Sequence, residues 1–311
     1  MDPQVEALLQ MMAAQAQAAG VPPLWELDPA TARANAELSF QAFNQPLPPS
    51  VTIADHTIPG PAGDIPVKIF TPAGQGPFPL VVYFHGGGWV ICSPATHTKL
   101  CAELAEGAGA VVVSVHYRLA PEHTPPAQLD DCVAAVRWAV DHAAELNADG
   151  SRFALAGDSA GGNLAACAAL RLRDEGGPRA RLQLLLYAAL TGNNDLPSVI
   201  ENAEGKILTR QMMDWFYRHY LSGGADPNDP YIFPIHGDLR GLPPAHLIVG
   251  SLDPLLDDSK LYAEALQRAG VPVKLSIYQD QPHIFLQLTA MLDGAKKGMA
   301  EASEALRTAL A

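Results

Sequence analysis

Two periodicities alternate along this chain. Short, almost wholly apolar runs at 80–84, 110–115, 153–156, 182–187, 246–249 and 273–278 are separated by segments in which apolar residues return every three or four positions, at 96–108, 126–146, 160–175, 257–269 and 284–310. The runs read as strands, most of them buried on both faces, and the segments between them as amphipathic helices. Ahead of these, 51–58 and 65–70 alternate apolar and polar residues on either side of Gly60-Pro61-Ala62-Gly63, the mark of an antiparallel hairpin. The pattern predicts an α/β fold in which a mostly parallel eight-stranded sheet, with helices on both faces, forms one domain.

Two stretches fall outside the alternation. Before any strand, 4–19 carries Val5, Leu8, Leu9 and Met12 on one helical stripe and stops at Gly20; a second helix starts at Asp28 as N-cap with Pro29 behind it and runs to about Phe43, before Pro46. This pair is either a lid over the sheet or an arm that helps pack a dimer, and the sequence leaves a homodimer open. Between the strands ending near Ala189 and beginning at Ala245 lies an insertion that includes a helix at 209–221, capped by Thr209. Met213, Phe216, Tyr217 and Tyr220 share one face of that helix. Such a stripe reads as plain core or as a ligand wall, and its departure from a strand's C-terminal edge, where open α/β sheets bind ligands, is the argument for the wall.

Charge and composition narrow the function. A formal net charge of −13 with no basic run argues against nucleic acid as a partner. Acid at Asp2 and Glu6 stands where a signal peptide needs positive charge, and no apolar run approaches the ~20 residues of a membrane helix, so the expectation is a soluble cytoplasmic protein without stable membrane insertion. Cys92, Cys101, Cys132 and Cys167 lack C-x-x-C spacing, which calls for neither disulfide nor zinc; no metal and no cofactor is expected.

The chemistry concentrates where the run 153–156 passes through Gly157-Asp158-Ser159-Ala160-Gly161 into the helix at 160–175. A serine at such a strand-turn-helix elbow is a nucleophile held in a strained backbone, with glycines two residues either side to permit close approach. After the run 80–84 comes His85-Gly86-Gly87-Gly88-Trp89, whose glycines free backbone N–H groups to bind an oxyanion together with the N–H of Ala160. His85 itself is expected to shape this loop. In elbow enzymes of this kind the chain order is serine, acid, histidine; Asp253 ends a strand, and His283 is the one histidine that follows it. Asp257, Asp258 and Asp280 remain open as the acid by spacing alone. Asp257 and Asp258 have a simpler role at a helix N-terminus.

His85-Gly-Gly-Gly-Trp89, Tyr117-Arg-Leu-Ala-Pro-Glu-His123, Gly157-Asp-Ser-Ala-Gly-Gly-Asn163 and Asp253-Pro-Leu-Leu-Asp257, in that order, resemble the blocks of the bacterial esterases related to hormone-sensitive lipase, within the α/β-hydrolase superfamily and its Gly-Asp-Ser-Ala-Gly subgroup. The resemblance covers nearly the whole chain. It implies Ser159, Asp253 and His283 as a catalytic triad and Gly87, Gly88 and Ala160 as oxyanion donors. It also implies a helical cap built from residues 1–50 and 191–230, over a catalytic domain of 51–190 and 231–311, with the Tyr117–His123 block tying a loop beneath the site. The expected function is that of a serine carboxylesterase, hydrolysing short- to medium-chain acyl esters through an acyl-enzyme. An amidase or deacetylase on the same triad is the alternative within the fold, and a non-catalytic ligand-binding receptor the alternative of another class. Asp158 is expected on the pocket floor, and Trp89, Leu252, Met213 and Phe216 in its walls. Two departures from the family pattern stand out: Ile284 in place of the usual Gly after the histidine, and Ala188 in place of a frequent Pro.

Overall fold

The computed structural model describes residues 1–20, 22–41 and 43–311. Eight strands form one sheet: β1 (Thr52–Gly60), β2 (Gly63–Thr71), β3 (Phe78–Phe84), β4 (Val111–Val115), β5 (Ala148–Asp158), β6 (Gln183–Leu186), β7 (Ala245–Leu252) and β8 (Val273–Pro282). Their order across the sheet is β1-β2-β4-β3-β5-β6-β7-β8. The pairs β1/β2 and β2/β4 are antiparallel and all others parallel, as the change from alternating to wholly apolar runs implies. Among the described residues the helices are α1 (Pro3–Ala19), α2 (Pro29–Gln41), α3 (Thr98–Ala108), α4 (Ala127–Asp141), α5 (Ala160–Asp174), α6 (Pro197–Glu201), α7 (Arg210–Tyr220), α8 (Leu256–Arg268) and α9 (Asp293–Leu310). None is long and apolar enough to cross a membrane.

The strand repeat of two sends successive side chains to opposite faces, and the core is accordingly two layers. Leu80, Val82 and Phe84 of β3 join the layer under α4, α5 and α8, while Val81 and Tyr83 join the layer under α3 and α9. The caps follow the sequence: Asp28 Oδ1 accepts from the N–H of Ala30 and Thr31, Thr209 Oγ1 accepts from Met212, and Gly20 closes α1 in the left-handed region.

Three elements depart from their expected bounds. The helix predicted over 126–146 stops at Asp141 and is followed by a separate 3-10 turn, Ala143–Leu146, where the His142 ring pairs with the Trp138 carbonyl. β5 begins five residues before its apolar run because the polar stretch from Ala148 still pairs at the sheet's end, past an irregularity in β3. The helix predicted over 284–310 is broken: Ile284 lies at φ 57, a 3-10 turn covers Phe285–Leu288, and α9 starts only at Asp293. The two N-terminal helices also part company. Val5 and Leu8 of α1 are buried in the α3/α9 layer, and Gln4 bonds Asp293 at the start of α9, whereas Ala32 and Ala36 of α2 join the other buried cluster.

Candidate active site

β3 lies between β4 and β5, so the loops leaving β3 and β5 diverge to opposite sides and open a crevice at the strands' C-terminal ends. The two sequence features singled out as chemical occupy those loops. Ser159 stands between β5 and α5 at φ 52, ψ −120, a conformation costly for any residue with a side chain. Surrounding bonds hold it there: its N–H donates to Leu186 O at 2.8 Å, and its carbonyl accepts from Asn163 at 3.1 Å and Ala189 at 3.2 Å. A Cβ at Gly157 or Gly161 would overlap the carbonyl oxygen of Phe84, so the elbow packs backbone to backbone on the end of β3.

His283 follows directly on β8, and its Nε2 is 3.0 Å from Ser159 Oγ while its Nδ1 is 2.7 Å from Asp253 Oδ2. Asp253, at the end of β7, is fully buried, and its other oxygen accepts the Leu255 N–H at 2.8 Å. A carboxylate so occupied selects the tautomer with a proton on Nδ1, which leaves the Nε2 lone pair facing the serine. The edge of the Tyr187 ring closes one side of the imidazole, with ring centroids 5.0 Å apart.

The three other acids lie elsewhere. Asp257 accepts from Ser198 and pairs with Lys260, and Asp280 is half-buried, 3.7 Å from the N-terminal ammonium. Asp258 turns inward from α8, where Oδ1 accepts from Leu190 N, Thr191 N and Thr191 Oγ1 and braces the start of the insertion. Burial pushes its carboxyl up from an ordinary 3.8 to about 7, against the pull of the Thr191 and Leu190 N–H groups. The folded chain then keeps a proton that the unfolded chain has released between about pH 4 and pH 7, so stability falls as the pH rises through that window. Asp258→Asn retains the Oδ1 acceptor and abolishes this titration. Its melting temperature relative to the unaltered chain should climb between about pH 5 and pH 8; a difference that stays flat would contradict the reading.

The glycine loop after β3 presents its backbone to the same crevice. Gly87 and Gly88 have φ 114 and 58, Trp89 follows at φ 61, and side chains would collide with Ile91 O at Gly87 and with the Phe216 ring at Gly88. Among the described residues no protein acceptor takes the N–H of Gly87 or Gly88, and Ala160 opens α5, where an N–H has no intrahelical acceptor. Behind the loop His85 is buried, pairs through Nδ1 with Gly86 O at 2.7 Å and stacks on Tyr117 at 4.4 Å. Burial, then the neighbouring His97 and His116, hold its imidazole well below its ordinary range. Tyr117 Oη donates to His85 O at 2.7 Å, which ties the Tyr117–His123 block to the loop.

These groups border a cavity of about 280 Å³. Trp89, Met213, Phe216 and Tyr217 line it; Tyr220 instead stacks on Trp89 at 4.2 Å and belongs to the core. Leu252 does not line it. It packs into the α3/α9 layer, and Leu255, three residues beyond the strand, takes the wall position. Asp158 borders the cavity, yet its carboxylate is wholly buried and engaged by Tyr83 Oη and Gly86 N. The expected N-terminal lid left its lining residues unnamed; α2 supplies Ala32, Asn35, Ala36, Ser39 and Phe40. Their i, i+3, i+4, i+7, i+8 spacing was the available signal. Among the described residues, none of α1 lines the cavity.

Comparison with known proteins agrees with this architecture. A family model described as alpha/beta hydrolase fold matches residues 81–287. Esterase LipI of Mycobacterium tuberculosis is 42% identical over 272 residues, covering 86% of this chain and 85% of that one. Carboxylesterase NlhH of the same organism is 44% identical over 253 residues, 79% of each chain. The hyperthermophilic esterase from the archaeon Pyrobaculum calidifontis superposes with a TM-score of 0.93 at 37% identity, over 100% of this chain and 99% of that one.

Proposed function

Because the chain belongs to the hormone-sensitive-lipase-like family of α/β-hydrolases, we infer that it is a serine carboxylesterase, working on small-molecule esters through an acyl-enzyme at Ser159. The observation that carries the mechanism is the relay in which His283 lies 3.0 Å from Ser159 Oγ and 2.7 Å from Asp253. His283 Nε2 takes the hydroxyl proton as Oγ attacks the ester carbonyl, and Asp253 stabilises the imidazolium that forms. The carbonyl oxygen gathers negative charge under the N–H groups of Gly87, Gly88 and Ala160, each such donor lowering the barrier by about 3 kcal/mol. His283 then protonates the departing alkoxide, which leaves an ester of Ser159. Water then attacks the acyl carbonyl as it gives a proton to His283, the bond from the carbonyl to Oγ breaks, and His283 returns that proton to Ser159 Oγ as the acid leaves.

An aryl organophosphonate tests the reading, since phosphonylation of Ser159 requires the working base and oxyanion donors. One equivalent should attach at Ser159 in the native protein and none in a His283→Ala variant; failure of the native protein to label would sink the esterase reading and favour a ligand-binding role.

Residues 22–41 and the insertion 191–230 are proposed as a cap that sets acyl length, supported by the Phe216 ring over Gly88 and by α2 on the facing wall. A cavity of about 280 Å³ falls just below the ~300–1,000 Å³ of pockets that hold drug-sized ligands, which suits short to medium acyl chains. Met213→Ala or Phe216→Ala should raise relative kcat/KM for longer chains by up to about fourfold per added methylene, the equivalent of ~0.8 kcal/mol. The check is a nitrophenyl ester series from acetate to laurate. An unchanged profile with a lowered melting temperature would show that the stripe is core alone.

A further inference from the structure

We propose that Asp158, the residue before the nucleophile, is a positioning residue that holds the oxyanion loop and the general-base loop in register with the elbow. Its Oδ1 accepts from Tyr83 Oη at 2.7 Å and from the Gly86 N–H at 2.8 Å. Its Oδ2 lies 3.2 Å from His97 Nε2 and 3.4 Å from Gln287 Nε2. Gly86 opens the Gly86–Gly88 loop, and Gln287 sits in the 3-10 turn Phe285–Leu288, four residues after His283. One carboxylate therefore touches the strand under the site, the oxyanion loop and the segment that carries His283, and its own backbone runs directly into Ser159.

An ionised carboxylate offers about four acceptor directions; Tyr83 Oη, Gly86 N and Gln287 Nε2 donate toward this one, and the His97 ring lies against Oδ2 with its Nε2 also 2.8 Å from Gln287 Nε2. The carboxylate is shut off from solvent; burial pushes its pKa up, but His97, then the bonds from Tyr83 and Gly86, hold it below the ordinary carboxyl range. Three consecutive glycines have no side chains with which to anchor their own loop, so an external anchor is what keeps Gly87 and Gly88 aimed. Aim matters because oxyanion donors act only within about 2.7–3.1 Å of the developing charge, and a displacement of about 1 Å can cost ~10²-fold in rate. A Cβ at Gly86 would overlap the Asp158 carboxylate, so that contact is already at closest approach.

The inference rests on the esterase reading, and the experiment separates the two. In the full-length protein, Asp158→Asn keeps the volume but replaces one acceptor oxygen by a donor. Turnover per phosphonate-titrated site should fall about 10²-fold, with KM within about threefold. Affinity for an aryl trifluoromethyl ketone, which forms the tetrahedral adduct, should fall in parallel with kcat/KM, while affinity for the corresponding unreactive methyl carbinol stays level. Tyr83→Phe, which deletes one donor and keeps the ring, should lower kcat per site about fivefold in the same pattern and decides the matter if the Asn variant does not fold. A merely structural role would lower the melting temperature and the number of titratable sites but leave kcat per site and ketone affinity unmoved; that outcome overturns the proposal. A native protein that the phosphonate does not label overturns the esterase reading itself.

Discussion

Ser159→Ala and His283→Ala should each lower kcat by about 10⁴-fold or more while the chain stays folded. In the proposed mechanism the nucleophile and base act as one unit: without the serine there is no covalent step, and without the imidazole the hydroxyl proton has no acceptor. Oxyanion donors and binding supply the residual rate, so the double variant should be little slower than either single one. Neither change threatens the fold, because what secures the elbow is backbone: Ser159 N to Leu186 O, and Ser159 O from Asn163 and Ala189. Turnover of a nitrophenyl ester by purified variants with native circular dichroism is the measurement. A His283→Ala protein within tenfold of native turnover would show that another group takes the proton.

Gly161→Ala is expected to reduce kcat by about 10²-fold or more and to cost ~1–3 kcal/mol of stability, a large penalty for one methyl group. The new Cβ would lie inside the radii of Phe84 O and His85 O, both at the end of β3 where the oxyanion loop begins. Backbone cannot yield as a side-chain tip can, so the elbow and the loop must separate, and the donors lose the distance their work requires. Gly270→Ala serves as control. Gly270 sits at φ 74 with nothing within 4 Å of an added Cβ, so that variant carries the strain of a positive φ but no collision. It should lose some stability and keep native kcat per active site. Equal kcat for the two variants would mean that β3 does not fix the elbow's position.

Much of this molecule is legible locally. The apolar runs at 80–84, 110–115, 153–156, 182–187 and 246–249 became buried parallel strands, whereas 273–278 became the partly exposed edge strand β8, and the alternating pair became the antiparallel edge hairpin, because the period of the side chains records how many faces a strand has to cover but not its place in the sheet. Thr209 and Asp28 begin their helices and Gly20 ends one, as short-range capping chemistry requires. Ser159, His283, Asp253 and the Gly87–Gly88 loop come together at one edge for a related reason: each stands at a strand's C-terminal end, and in a parallel sheet those ends share one edge.

Sequence by itself therefore determined most of the elements, the burial of the inner strands and the sheet edge at which the candidate site gathers. Tertiary structure alone decided how side chains are shared between neighbours far apart in the chain. Spacing left four aspartates as partners for His283, and only the pairing of β7 with β8 brings Asp253 to it while Asp258 turns to Leu190 and Thr191. Asp158 looked like pocket floor from its place beside the serine, but Tyr83, Gly86, His97 and Gln287 converge on it from three separate segments. Leu252 gave way to Leu255 because the last residue of a strand still obeys the strand's alternation, whereas a loop residue is free to turn into the cavity. Local periodicity records that a side chain is covered; which residue covers it is set by sheet register and loop path, and these depend on contacts that no window of neighbouring residues contains.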